Sequence, residues 1–338
     1  MTEKLKMKNK KTFREEIAED FVKSLEEENL VWIKGWNGGT GAPLNFARDK
    51  EYKGINKLYL KKIEVEKGFN DNRWLTFKQI KDSNYHLMKG SKGYMVEYFI
   101  PYDIEEKKWI TWDEYNDKKD IKDYEIKPKY YTVFNGSQIE GIEKLQPKYK
   151  LNEIEKEEVI EKISKGMGVD IVEEEGNDGA YYDILSDKIT IPHRQQFKSR
   201  EHYTATVLHE LSHATGSENR LNRDIENKFG SKKYGFEELV AEISSCFMSE
   251  YIPGSLNEDI FNNHKAYIKS WIKSIKEDKK ILFKAIKEAD KASDYMIEKG
   301  DLREFVKERE KVNKEEIEKD LVKDIDNSEK EREEEIEL

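Results

Sequence analysis

The sequence predicts an α+β chain of two domains followed by a charged tail, and three observations carry that prediction. Its 338 residues suit about two domains. Strand-like runs of aromatic and β-branched residues stand between segments whose apolar residues recur at helical spacing. The stretch V-L-H-E-L-S-H, residues 207–213, sets His209 and His213 four apart with Glu210 between them. On a helix both imidazoles leave one face and can bind one metal ion, while the glutamate borders the same site.

With 39% charged and 36% hydrophobic residues, the composition is that of a soluble chain with modest cores. No apolar run approaches the ~20 residues of a membrane span, and the charged start MTEKLKMKNKK precedes no apolar signal core. The expected location is therefore cytoplasmic, with no membrane partner. The single cysteine, Cys246, rules out an intramolecular disulfide and agrees with a reducing compartment. The net charge of −10 is uneven: residues 34–92 carry 13 Lys plus Arg against 6 Asp plus Glu, and residues 301–338 carry 9 against 16. The acidity is mostly a tail, which leaves room for a locally basic surface able to hold phosphates.

Residues 1–12 read as a flexible leader. A helix follows from about Phe13 to Glu28, with Phe13, Ile17, Phe21 and Leu25 at steps of four. Glycines and Pro43 in V-W-I-K-G-W-N-G-G-T-G-A-P-L-N-F, residues 31–46, put Trp32, Trp36 and Phe46 on or beside a loop. Residues 52–60 and 73–81 interleave aromatics with Lys and Arg. Single-stranded nucleic acid is held by that pairing of chemistries, bases stacking on rings while cations follow the backbone. Tryptophan and phenylalanine are nonetheless usually core residues, and lysine usually belongs to a solvated face. Residues 92–102 and 130–135 read as two antiparallel strands separated by a charged insertion.

The order G-x-P-x-N (41–45), Y-x-G-I-N (52–56), R-W-L-T-F-K-Q (73–79), K-G-x-K-G (89–93) and V-F-N-x-x-Q-I-E-G (133–141) resembles the amino-terminal single-stranded-DNA-binding domain of ArdC-type antirestriction proteins. That domain also occurs in plasmid primases of the TraC type. By this resemblance Trp32, Trp36, Asn45, Asn56, Arg73, Trp74, Lys78, Gln79, Lys89, Lys92 and Asn135 occupy motif positions. Their chemistry makes them the candidate DNA contacts.

A boundary is expected near Gln146 and Pro147. Residues 180–192 then read as two short strands about a turn at Ser186 and Asp187, either a structural hairpin or an edge for an extended peptide. On the metal-binding helix, Thr204, Val207, Leu208, Leu211 and Ala214 face away from the histidines. Downstream, F-E-E-L-V-A-E-I-S-S-C-F (236–247) is a second amphipathic helix with Glu238 and Glu242 on its polar stripe. Glu238 fits a third metal ligand, and Glu242, one turn on, an acceptor that orients a histidine N–H. His193, His202 and His264 lack ligand spacing, and His86 lies in the other domain. Cys246 reads as a small buried residue.

The string H-E-L-S-H-A-T-G-x-x-x-R-L-N-R (209–223) with Y-G-F-E-E-L-V-A-E-I (234–243) resembles zincin metallopeptidases and the carboxy-terminal domain of the same ArdC family. The implied cofactor is Zn²⁺, with Mn²⁺ or another divalent metal also compatible. The implied chemistry is hydrolysis, with Glu210 as proton acceptor and Tyr181, Tyr182, Arg220 and Tyr234 as candidate oxyanion donors. Residues 257–300 read as two packed helices ending at Gly300. Residues 301–338 read as an acidic helical or disordered tail in which Leu302, Phe305 and Val306 can dock.

The expected organisation is thus a leader (1–12), a single-stranded-DNA-binding α+β domain (13–147), a zincin-like metallopeptidase domain (148–300) and the tail. The expected function is antirestriction for a mobile genetic element such as a plasmid, conjugative element or phage: binding single-stranded DNA, with a host protein as a further partner. The alternative is a replication or maintenance accessory protein whose metal site is structural.

Overall fold

The structure is a computed structural model and describes residues 11–28, 31–34, 41–117, 122–145, 151–226, 228, 230–253 and 265–312. It divides into two compact units, one of residues 42–145 and one formed by 1–41 with 146–338.

Helix α1 (Phe13–Glu26) starts at a reciprocal cap in which the Thr12 hydroxyl accepts from Glu15 N and the Glu15 carboxylate accepts from Thr12 N. Its stripe of Phe13, Ile17, Phe21 and Leu25 is buried. The short α2 (Val31–Lys34) brings Trp32 edge-on to Phe21, with ring centroids 5.5 Å apart. Although α1 and α2 precede residues 42–145 in the chain, α1 packs on a helix near residue 270, described below.

The unit of residues 42–145 is built on a six-stranded sheet. Its strands are β1 (Leu44–Asn45), β2 (Lys50–Glu51), β3 (Arg73–Thr76), β5 (Tyr94–Asp103), β6 (Lys108–Trp109) and β7 (Tyr124–Asn135), in the order β2-β1-β3-β7-β5-β6. A two-stranded pair, β4 (His86–Leu87) with β8 (Ile139–Glu140), lies beside it. Helix α3 (Gly54–Lys67) packs Leu60 and Ile63 against Trp74, Val96 and Val133. Helix α4 (Phe77–Asp82) places Ile80 against Leu75 and Ile139 in a second small core.

The two antiparallel strands expected from the sequence are present, and the second begins at Tyr124, six residues earlier than expected. They pair in unbroken register from Tyr94↔Val133 to Asp103↔Tyr124. Part of the charged insertion is therefore strand: Glu125, Lys127 and Lys129 alternate with Ile126, Pro128 and Tyr130 along β7, and the proline with its flanking charges masks the strand pattern. The rest of the insertion includes β6 and the short α5 (Trp112–Asn116).

The other unit continues with α6 (Glu153–Met167) and a three-stranded sheet of β9 (Asp170–Glu174), β10 (Tyr181–Asp183) and β11 (Lys188–Pro192), in the order β10-β11-β9. The expected hairpin over 180–192 is β10 and β11, turning through Asp187 at a φ of 52°. The remaining elements are helices α7 (Arg200–Ala214), α8 (Lys232–Met248), α9 (Lys265–Glu277) and α10 (Lys280–Lys299). The last two are the packed helices expected over 257–300, and α9 is the one that receives α1. Gly166 permits the close approach of α6 to the end of α10, since a Cβ there would sit 1.8 Å from the Lys299 carbonyl oxygen.

The core joins Val159, Ile163, Ile189, Ile191, Val207, Leu208, Leu211 and Met296 across α6, β11, α7 and α10. Leu302 and Phe305 from the start of the tail dock into it, with Val306 packed alongside. Helix α8 lies between α7 and α10 and is buried on all sides from Glu237 to Met248. Its expected polar stripe is therefore interior, which is what a metal centre between two helices requires.

Candidate functional site

Helix α7 begins where the Ser199 hydroxyl accepts from His202 N, and its apolar face of Val207, Leu208, Leu211 and Ala214 is pinned in the core. That anchoring turns His209 and His213 toward α8. Their Nε2 atoms stand 3.1 Å apart. Glu238 spans them, one carboxylate oxygen 3.5 Å from His209 Nε2 and the other 3.6 Å from His213 Nε2. Among the described residues these three are the group of His, Cys, Asp or Glu whose donor atoms could converge on one ion, all within 4.8 Å of one another. Donors about 2.0–2.2 Å from a tetrahedral ion stand about 3.3–3.6 Å apart, so the donor set and its spacing fit a divalent cation.

The outward ring nitrogens are also engaged. His209 Nδ1 faces Glu242 at 3.4 Å, where an orienting acceptor was expected. His213 Nδ1 faces Glu237 at 3.3 Å, and Glu237 was not expected. Arg223 holds that carboxylate through Nε at 3.1 Å and Nη2 at 2.6 Å, and also donates to Ser212 O and Thr215 Oγ1 at the end of α7. Gly216 keeps the passage open, since a Cβ there would lie 2.9 Å from the Arg223 guanidinium. In the sequence Glu237 stands beside Glu238 and Arg223 closes the R-L-N-R string, but no spacing joins the two across the intervening loop.

Burial opposes charge on His209, but its hydrogen bond to Glu238 and the fields of Glu210, Glu238 and Glu237 overcome it and raise the imidazole above its ordinary value. Burial likewise opposes ionisation of Glu238, and the two histidines outweigh it and lower the carboxyl. The acidic surround that attracts a proton here would attract a metal ion by the same field.

Glu210 borders a cleft of about 560 Å³ together with the three candidate ligands, Tyr181, Tyr182, Tyr234 and Tyr267. The four expected oxyanion donors are placed differently. Tyr181 is exposed at the cleft on β10. Burial, the Tyr267 hydroxyl and Glu238 raise the Tyr234 phenol, so it remains a proton donor at neutral pH. Tyr182 donates to Asp187 at 2.6 Å. Arg220 does not line the cleft: it is bidentate to Asp187 at 2.8 Å for both bonds and also holds Ala214 O and Met167 O. It locks the β10–β11 turn to the end of α7.

The expected DNA contacts divide by burial. Trp32, Arg73, Trp74 and Asn135 are buried. Trp74 Nε1 donates to Glu64 at 2.9 Å, Arg73 pairs with Asp71, and Asn135 Nδ2 donates to Asp71 O. Rings and cations enclosed in this way present no face to a base or phosphate. The Asn56 amide accepts from Glu97 N and donates to Glu97 O, closing the edge of β5. Gln79 caps α4 at Thr76 and donates to Asn45. Lys78, Lys89 and Lys92 are exposed, while Trp36 and His264 lie outside the described residues. Cys246 is buried, as expected.

Comparison with known proteins agrees with this architecture. Residues 11–134 match the family model of the N-terminal domain of anti-restriction factor ArdC, and residues 158–288 match that of a zincin-like metallopeptidase. A DNA primase TraC of Escherichia coli is 36% identical over 305 residues, covering 86% of this chain and 20% of the primase. A second Escherichia coli TraC is 34% identical over 300 residues, covering 85% and 27%. The chain thus spans about a quarter or less of the primases it matches. The uncharacterized protein y4eC of Sinorhizobium fredii is 27% identical over 285 residues, covering 83% and 90%. Among solved structures, the metal-free antirestriction protein ArdC of plasmid R388 aligns with a TM-score of 0.70 at 29% identity, covering 86% of this chain and 98% of that one. Its Mn(II)-bound form aligns at 0.68 with the same identity and coverage. With an ArdC N-terminal domain followed by a zincin-like metallopeptidase domain, the chain belongs to the ArdC-type antirestriction family.

Proposed function

We propose that this chain is an antirestriction factor of a mobile genetic element that binds single-stranded DNA through residues 42–145 and carries a metal-dependent peptidase centre on α7 and α8. The observation that carries the second half is the convergence of His209 Nε2, His213 Nε2 and Glu238 within 4.8 Å beside Glu210 and a cleft. When bound there, Zn²⁺, or Mn²⁺ in its place, would supply Lewis acidity toward a carbonyl and an activated water.

The rest of the work falls to side chains. Glu242 and Glu237 fix the tautomers and ring orientations of the histidines from their outer nitrogens. Glu210 takes the proton of the attacking water and delivers it to the leaving amine. Tyr234, kept protonated, and Tyr181 border the position where negative charge develops on the carbonyl oxygen. The three apolar and aromatic residues Tyr181, Tyr182 and Ile184 on one wall of the cleft suit a protein segment as substrate. The charged groups on the N-terminal unit, Lys78, Lys89 and Lys92, suit a phosphate backbone.

Two measurements test this. Metal analysis of purified protein should find a divalent ion that Glu238→Ala removes and Glu210→Gln keeps. Anisotropy with matched oligonucleotides should show a preference for single over double strands that weakens as salt rises. Metal content indifferent to Glu238, or binding indifferent to strandedness, sinks the corresponding half. The similarity to TraC primases favours one second reading, a replication accessory protein with a structural metal site. A Glu210→Gln variant that keeps its metal and full protection of incoming DNA would favour that reading.

A further inference from the structure

The outer half of the β5–β7 ribbon presents two different faces. In an antiparallel pair, residues directly opposite lie on the same side, and side chains alternate along each strand. The register pairs Tyr98 with Lys129 and Ile100 with Lys127, and it pairs Tyr102 with Trp109 on β6. Tyr131, two residues from Lys129, continues the same side. This face therefore sets Lys127 and Lys129 among the rings of Tyr98, Tyr102, Trp109 and Tyr131, with Ile100 between the β5 rings and Glu125 at the outer end. Lys129 Nζ lies 5.3 Å from the Trp109 ring and 5.7 Å from the Tyr131 ring, and Lys127 Nζ lies 4.4 Å from the Tyr102 ring.

Tyr98, Trp109 and Tyr131 stay 47%, 37% and 38% exposed. Lys127 also pairs with Glu125, whereas Lys129 pairs with no carboxylate among the described residues. The opposite face at this end carries Phe99, Pro128, Ile126 and Tyr130, and its lysine, Lys108, is paired with Glu106.

Resting on the single-strand reading above, we infer that the Tyr98, Tyr102, Trp109, Lys127, Lys129 and Tyr131 face is where an extended single-stranded nucleic acid binds, with bases stacking on the exposed rings and phosphates meeting the lysines. The chemistry selects this occupant. A base offers a flat π-face to each ring irrespective of its sequence, and a backbone offers negative charge to lysines that sit between rings. A duplex hides its bases from such a surface. The ribbon also explains how the unit of residues 42–145 can bind although Trp74 is enclosed.

The test is anisotropy of labelled oligo-dT with the full chain. Tyr98→Ala, Trp109→Ala and Tyr131→Ala should each weaken binding by about 5- to 150-fold. Trp109→Phe, which keeps a ring, should stay near wild type. Lys129→Gln should reduce the magnitude of the salt slope by about 0.7. Tyr130→Ala on the opposite face serves as the control and should change binding less than twofold. If wild type binds single strands and all three ring variants match it, the face is wrong while the single-strand reading survives. If wild type shows no preference for single strands, both fall together. A change in sedimentation of the ring variants without a change in oligo-dT affinity would assign the face to a second copy of the chain and overturn the proposal.

Discussion

Glu237 faces His213 Nδ1 at 3.3 Å while Arg223 clamps the same carboxylate through two nitrogens, so the second histidine is aimed by a residue that is itself held from the far end of α7. Both charged partners are almost fully buried. Helices α7 and α8 are thereby tied at the point where their ligands must meet.

Removing that brace should loosen the metal. Glu237→Ala frees the His213 ring, and metal affinity should fall about 10- to 100-fold, the usual cost of losing an orienting partner. Glu237→Gln can still accept from Nδ1–H and should fall less. A chelator competition that ranks both variants with wild type would show that the contact does not orient the ring.

Arg223→Met strands the Glu237 charge in the interior, just as Glu237→Ala strands that of Arg223. Breaking a buried pair from one side costs about 3–5 kcal/mol, so the loss should appear in the urea midpoint as well as in metal content. An unchanged midpoint would mean that water reaches the pair.

The Asp187–Arg220 lock predicts a pH signature. Burial raises the Asp187 carboxyl, but the bonds from Arg220 and Tyr182 outweigh it and hold it below its ordinary value of 3.8. A carboxyl depressed in the folded state adds stability that is complete above its unfolded value and disappears as pH falls through the folded one. Asp187→Asn should therefore lower Tm at pH 7, and the gap from wild type should close below about pH 3.8. A gap that persists into stronger acid would show that charge is not what holds the turn.

How much of this was legible depended on whether the relevant relationship has a period. His209, His213, Glu238 and Glu242 could be placed because helical spacing puts i and i+4 on one side, and their two helices needed only to face each other. Arg223 and Glu237 are joined across a loop, which has no spacing rule. The Lys127, Lys129 and Tyr131 alternation has the strand period, with Ile126 and Tyr130 on the other side, yet Pro128 and the flanking charges make it read as a charged insertion. Trp74 and Asn56 stand in motifs for structural reasons, a core ring bonded to Glu64 and an amide closing a strand edge. A motif shows that a residue type is required there without showing whether the requirement is packing or contact.

Cys246 should serve as a probe of the core of α8. Burial pushes its thiol up to about 12, and the residue is only 1% exposed. Only the thiolate reacts with a disulfide reagent, so labelling of native protein should wait on opening of the helix and accelerate with denaturant. Rapid labelling in native buffer would show that α8 is not the closed interior helix described.

Trp74 separates packing from recognition. Its ring is fully buried among Leu60, Ile63, Val96 and Val133, and its indole N–H is bonded to Glu64. Trp74→Ala should cost about 3–5 kcal/mol of stability, because the cavity lies at the centre of a small core and the buried Glu64 loses the indole N–H while keeping Lys61. Loss of oligo-dT binding in that variant should track the unfolded fraction, and binding should return under conditions that refold it. Trp109→Ala should show the reverse pattern, with near-native stability and weakened binding, because its ring is exposed on the ribbon. If the folded fraction of Trp74→Ala fails to bind while Trp109→Ala binds normally, Trp74 is the stacking residue and must leave the core when DNA arrives.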